Sequence, residues 1–168
     1  MKQTAFFYPG QGSQAVGMGI AAADTFTEAA EIFNQASDIL AYDMKALCAD
    51  GPIERLSQTE FTQPALFTVE AALTAALNAR GINPAMTAGH SLGEFGAWFA
   101  AGVFSFADVL KLVAERGRLM AHADPDGIGT MAAIIGLDYD TVSESCKAAG
   151  GTVVVANINQ PAQMVRSE

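Results

Sequence analysis

The stretch TAGHSLGEFGAW, residues 87–98, carries the residues best spaced for chemistry. Its centre, Gly89-His90-Ser91-Leu92-Gly93, fits the Gly-x-Ser-x-Gly pattern of a serine nucleophile on a tight strand-to-helix turn. Such a turn holds the Ser91 hydroxyl clear of its neighbours, and Gly89 and Gly93 mark the places where a Cβ would crowd it. The N–H of Leu92 opens the following helix and can point at an oxyanion developing on an attacked carbonyl. A nucleophilic serine ordinarily needs a histidine base, and the sequence holds two histidines, His90 and His122. The His90 side chain should diverge from the hydroxyl beside it and support the loop. His122 opens a turn-rich link and reads as solvated.

Two other stretches bear on the same chemistry. In PGQGSQA, residues 9–15, Gly10-x-Gly12-x-x-Ala15 imitates a dinucleotide fingerprint. That use requires a second strand with an acidic end about 20 residues on. A helix-like stretch carrying Glu31 and Asp38 stands there instead. The loop is then either a simple tight turn or the source of a second oxyanion-hole N–H, with Gln11 as the donor. In FADVLKLVAERGRLM, residues 106–120, a helical projection at about 100° per residue gathers Phe106, Val109, Leu112, Val113 and Met120 on one face. Arg116 falls in the middle of that face, while Lys111 and Arg118 lie opposite. A guanidinium facing a core needs an anion. It can form a structural ion pair with a buried Asp or Glu, snorkel to the helix end, or hold a substrate carboxylate bidentately.

The elements that position these residues follow from periodicity and punctuation. TAFFYPG reads as a short buried strand ending at Pro9-Gly10, and PAMTAGH as a second strand leading into Ser91. Residues 25–40 have helical spacing at Phe26, Ala29, Ala30, Phe33, Ala36 and Leu40. TQPALFTVEAALTAALNARG is the clearest helix, with Pro64 in its first turn, Leu66, Val69, Leu73 and Leu77 on one face, and Gly81 as its cap. Helices are expected at 92–101 and 106–120. After the link HADPDGIG come an apolar strand in MAAIIGL, a helix over 139–149, a β-branched strand in GTVVVANIN and the start of another in QMVRSE.

Composition narrows the classes. Half of the 168 residues are hydrophobic, enough for a real core. A formal charge of −9 argues against nucleic-acid binding, which relies on neutralising phosphates. Cys48 and Cys146 have no paired spacing, so no disulfide framework or metal site is indicated. No signal peptide is evident at the N-terminus, and the apolar stretch FGAWFAAGVF is about half the ~20 residues a membrane helix needs. A cytoplasmic protein with no membrane partner is expected.

Six motifs in order resemble the malonyl-CoA:acyl carrier protein transacylases of fatty acid synthesis, within the wider acyltransferases of polyketide synthases. They are FFYPGQGSQAVGMG, FTQPALFTVEAAL, GHSLGEF, LVAERGRLM, GTMAAIIGL and ANINQPAQMV. The resemblance implies an α/β fold: an α/β-hydrolase-like large subdomain over 1–126, with a parallel sheet and nucleophile elbow, and the start of a small ferredoxin-like subdomain over 127–168. It implies Ser91 as nucleophile and the backbone N–H groups of Gln11 and Leu92 as oxyanion hole. Arg116 becomes the receptor of the malonyl carboxylate, and Gly89, His90 and Gly93 support the motif. Malonyl-CoA is implied as substrate and acyl carrier protein as partner, with no cofactor. Family members run to roughly twice this length, and their catalytic histidine lies beyond position 168. The sequence is therefore read as an N-terminal portion whose own activity is open. A non-catalytic fragment and a related serine acyl hydrolase are the alternatives.

Overall fold

The computed structural model describes residues 3–167, which form two compact units, 3–123 and 124–167. In the larger unit, strands β1 (Ala5–Tyr8) and β2 (Met86–Gly89) pair in parallel, with Ala5 opposite Met86 and Tyr8 opposite Gly89. Between them run α1 (Ile20–Thr25), α2 (Thr27–Leu40), α3 (Met44–Asp50), α4 (Ile53–Leu56) and α5 (Thr59–Asn78). After β2 come α6 (Gly93–Ala100) and α7 (Phe106–Ala121). The smaller unit runs β3 (Met131–Ile135), α8 (Tyr139–Ala149), β4 (Val154–Gln160) and β5 (Gln163–Ser167). Its strands pair in the order β3-β5-β4, with β5 antiparallel to both neighbours. This split β-α-β arrangement is that of ferredoxin-like folds. The fold class is α/β, as expected.

The core of the larger unit is built around α5, against which α2, α6 and α7 pack. Phe67 stacks on Phe106 with centroids 5.5 Å apart and meets Phe99 edge-on, and Phe33, Met44, Leu56 and Leu110 are fully buried around it. The expected single apolar face of α5 is not what forms. The helix is buried continuously from Thr62 to Ala72, while Leu73 is 44% exposed. A helix enclosed on several sides needs small residues for close approach more than one stripe of large ones, and Ala65, Ala71, Ala72 and Ala76 supply them. Pro64 also lies deeper than expected, because α5 begins five residues earlier, at Thr59. The strand reading of TAFFYPG holds for β1, but only Tyr8 is buried and Phe7 is 78% exposed.

On α7 the buried residues are Phe106, Val109, Leu110, Val113 and Gly117, while Leu112 and Met120 are half exposed. The buried stripe is therefore rotated from the expected one, and Arg116 stands at its edge rather than its middle. Gly117 sets this rotation. A Cβ there would lie 2.9 Å from the Thr59 carbonyl oxygen and 3.1 Å from the Glu60 Cα, so only glycine lets α7 settle onto the first turn of α5.

The core holds a carboxyl without a hydrogen-bond partner among the described residues. Glu70 lies on α5 facing Gly96 of α6 and Tyr8 of β1, and neither of its carboxyl oxygens has a hydrogen-bond partner among the described residues. Tyr8 does not help, since its hydroxyl donates to Thr74 Oγ1 at 2.8 Å and Thr74 in turn donates to the Glu70 carbonyl. Burial pushes the Glu70 carboxyl up from 4.5 to about 8. Between those values the folded chain keeps a proton that the unfolded chain has released, so folding stability falls as pH rises through that window. The melting temperature is expected to fall as pH goes from 5 to 8.5, and Glu70→Gln should flatten that fall. A circular-dichroism melt across this range that is equally steep in both proteins would contradict the assignment.

Candidate active site

The turn between β2 and α6 has the geometry of a nucleophile elbow. Ser91 takes φ +53°, a left-handed conformation that costs a side-chain-bearing residue about 1–2 kcal/mol and is held here by its surroundings. The His90 N–H donates to the Tyr8 carbonyl at 3.0 Å and the Gly93 N–H to the His90 carbonyl at 3.0 Å. A Cβ on Gly89 would collide with the Gly93 carbonyl and the Glu94 nitrogen, and one on Gly93 with the carbonyl of Tyr8. Both glycines of the motif are thus required by backbone-to-backbone contact. The Leu92 side chain is fully buried, which anchors the peptide that carries its N–H.

The β1–α1 loop packs directly on the elbow. A Cβ on Gly10 would stand 2.8 Å from the His90 carbonyl oxygen and 2.9 Å from its Nδ1, so the ring of His90 backs this loop. The Gln11 side chain donates to Thr59 Oγ1 at 3.0 Å and Gln14 to Ser57 Oγ at 3.4 Å, tying the loop to the start of α5. The backbone N–H groups of Gln11 and Leu92 have no hydrogen-bond partner among the described residues. An oxyanion hole is built from such free backbone donors.

Arg116 reaches Ser91. Its Nη2 donates to Ser91 Oγ at 3.0 Å and its Nη1 to Gln63 Oε1 at 2.6 Å, with the guanidinium 5.8 Å from the centre of the Phe95 ring. Among the described residues the ion pairs are Lys45–Asp24, Arg80–Glu28 and Arg118–Glu115, so no carboxylate neutralises Arg116. Arg116 forms no structural ion pair there, and it points at Ser91 rather than snorkelling to the helix end. The guanidinium charge therefore stands uncompensated by any described carboxylate beside Ser91 Oγ. Gln63 is the site residue that sequence reading missed. It is fully buried, and its Nε2 approaches Met120 Sδ at 3.2 Å. A glutamine directly before the apolar run Pro-Ala-Leu-Phe, residues 64–67, was the available signal.

Neither histidine bonds Ser91 among the described residues. The exposed His122 sits at the C-terminal end of α7, where its Nδ1 donates to the Arg118 carbonyl at 2.7 Å. Arg118 forms two hydrogen bonds to Glu115, at 2.7 and 2.8 Å, so its charge is matched locally, whereas Lys111 stands exposed. No group of metal-ligating side chains occurs among the described residues, and no described helix is long and apolar enough to cross a membrane.

Comparison with known proteins agrees with this geometry. Residues 5–167 match the acyl transferase domain family, and the chain belongs to it. It is 48% identical over 168 residues to the malonyl CoA-acyl carrier protein transacylase of Escherichia coli K12, covering 98% of this chain and 54% of that protein. The crystal structure of an acyl carrier protein S-malonyltransferase from Vibrio cholerae superposes with a TM-score of 0.93 at 43% identity, covering 99% of this chain and 55% of that one. A solved complex of a type II PKS acyl-carrier protein with its malonyl-transacylase matches with a TM-score of 0.92 at 42% identity, over 99% of this chain and 55% of that one. The chain spans about half the length of the curated relatives it matches.

The elbow can be tested by its glycines. Gly93→Ala should destabilise the chain by about 3 kcal/mol or more, because backbone cannot step aside as a side-chain rotamer can. Gly81→Ala is the control. Gly81 has positive φ, at +74°, and open space around it, so only the backbone cost of about 1 kcal/mol applies. A loss in urea titrations no larger for Gly93→Ala than for Gly81→Ala would show that backbone contact does not fix the elbow glycine.

Proposed function

We propose that this chain carries the acyl-accepting half of a malonyl-CoA:acyl carrier protein transacylase site. The observation that carries the reading is the Arg116 guanidinium, 3.0 Å from Ser91 Oγ and paired with no carboxylate. An acyl group on Oγ whose far carboxylate meets Arg116 must be short. In malonyl, only two C–C bonds of ~1.5 Å separate the ester carbonyl from the carboxylate. An acetyl group leaves the arginine without its anion, which favours the dicarboxylic substrate.

The reaction proceeds by exchange at one carbonyl. Ser91 Oγ attacks the thioester carbon of malonyl-CoA as its proton passes to a base, and the oxyanion lies between the Gln11 and Leu92 N–H groups. Collapse breaks the carbon–sulfur bond, and the coenzyme A thiolate takes up a proton. The phosphopantetheine thiol of acyl carrier protein then attacks the malonyl ester and restores the Ser91 hydroxyl. No described residue occupies the position of the base, so residues 3–167 alone are expected to acylate slowly, since general-base assistance is worth about 10²–10⁴-fold. That same observation favours a second reading of the 168 residues by themselves, as a module that binds the acyl donor without turning it over.

Intact mass spectrometry after exposure to malonyl-CoA separates these readings. One malonyl group is expected on the parent chain and none on Ser91→Ala. Arg116→Ala should lose malonyl incorporation at least tenfold relative to acetyl incorporation from acetyl-CoA. Malonyl incorporation that survives Ser91→Ala would overturn the assignment of the nucleophile, and no incorporation by the parent would favour binding alone.

A further inference from the structure

We infer that Gln63 is a positioning residue that sets the selectivity of the site: its neutral amide aims the Arg116 guanidinium without neutralising it. This rests on the reading of Arg116 as receptor of the acyl carboxylate. A guanidinium has donors only, so the Gln63 oxygen must face Arg116, at 2.6 Å, and the amide nitrogen must turn to Met120 Sδ, at 3.2 Å. Arg116 and Met120 stand one turn apart on α7, so the amide bridges two residues of one helix from a third position on α5. Gln63 is fully buried. The close approach at Gly117 fixes the spacing between the two helices at this level.

The chemical type of the side chain is what matters. Proteins commonly hold an inward arginine with a carboxylate, and a glutamate would have nearly the same shape here. A carboxylate at position 63 would pair bidentately with Arg116 and compensate its charge, leaving little attraction for a second carboxylate beside Ser91. An amide supplies direction through a hydrogen bond to a charged donor and leaves the positive charge for the ligand. A smaller side chain would leave the guanidinium free to rotate, with Ser91 Oγ as its one remaining hydrogen-bond partner among the described residues. Gln63 thus acts through Arg116 and touches no reacting atom.

The test is equilibrium binding of malonyl-CoA and acetyl-CoA by isothermal titration calorimetry, with Ser91→Ala present throughout to prevent turnover. The ratio of the two dissociation constants is the readout, because a merely structural defect weakens both ligands alike. The Ser91→Ala parent should prefer malonyl-CoA by about tenfold or more. Adding Gln63→Glu should bring the ratio to about one. Gln63→Met, similar in shape but without the amide acceptor, should lower it severalfold and serves if the glutamate variant does not fold. A folded Gln63→Glu or Gln63→Met protein that keeps the parent's ratio overturns the role of Gln63 while leaving Arg116 as the carboxylate receptor. A parent ratio near one, unchanged by Arg116→Ala, removes that receptor reading and this inference with it.

Discussion

The larger unit depends on one close approach, that of Gly93 to the carbonyl of Tyr8. It puts the first turn of α6 directly on the end of β1, with no side chain between them. Everything chemical follows from that contact. The chain must turn sharply within four residues, Ser91 must adopt a left-handed conformation at the apex, and Leu92 must plunge into the core. A strained residue of this kind persists only where its neighbours over-determine it. Here they do so from both sides: Gly10 packs on His90, while Tyr8 accepts the His90 N–H.

A second close approach, of Gly117 to the first turn of α5, performs the matching task for the arginine. The two glycine contacts deliver a hydroxyl and a guanidinium to within 3.0 Å of each other from residues 25 apart in sequence. Neither helix would need glycine for its own stability, since glycine weakens a helix interior. Its presence at 117, one residue after the arginine, shows the site imposing a requirement on the scaffold.

Much of this was legible in the sequence, and the reasons are local. The elbow is specified by five consecutive residues whose spacing reflects backbone sterics, so it can be read without knowing what lies nearby. The helix over 139–149 was equally plain, because Asp138 caps it and Gly150 ends it. Arg116 was visible as an anomaly, but its exact facing was not, because helical projection cannot know that Gly117 belongs to the core. Gln63 was hidden for a related reason: α5 is enclosed on several sides, which erases the amphipathic pattern against which a buried polar residue would stand out. The short helices at 20–25 and 44–50 also escaped, since a single turn or two leaves too little periodicity to register.

The exposed Phe7 has a consequence for how the molecule behaves as a solute. Among the described residues β1 is bonded along one edge only, to β2, and the Phe7 ring beside the other is 78% exposed. Open strand edges with apolar side chains invite pairing with other chains. A net charge of −9 opposes this by long-range repulsion between molecules. Added salt screens the repulsion and leaves the apolar edge untouched, so ionic strength tilts the balance between these two opposing terms.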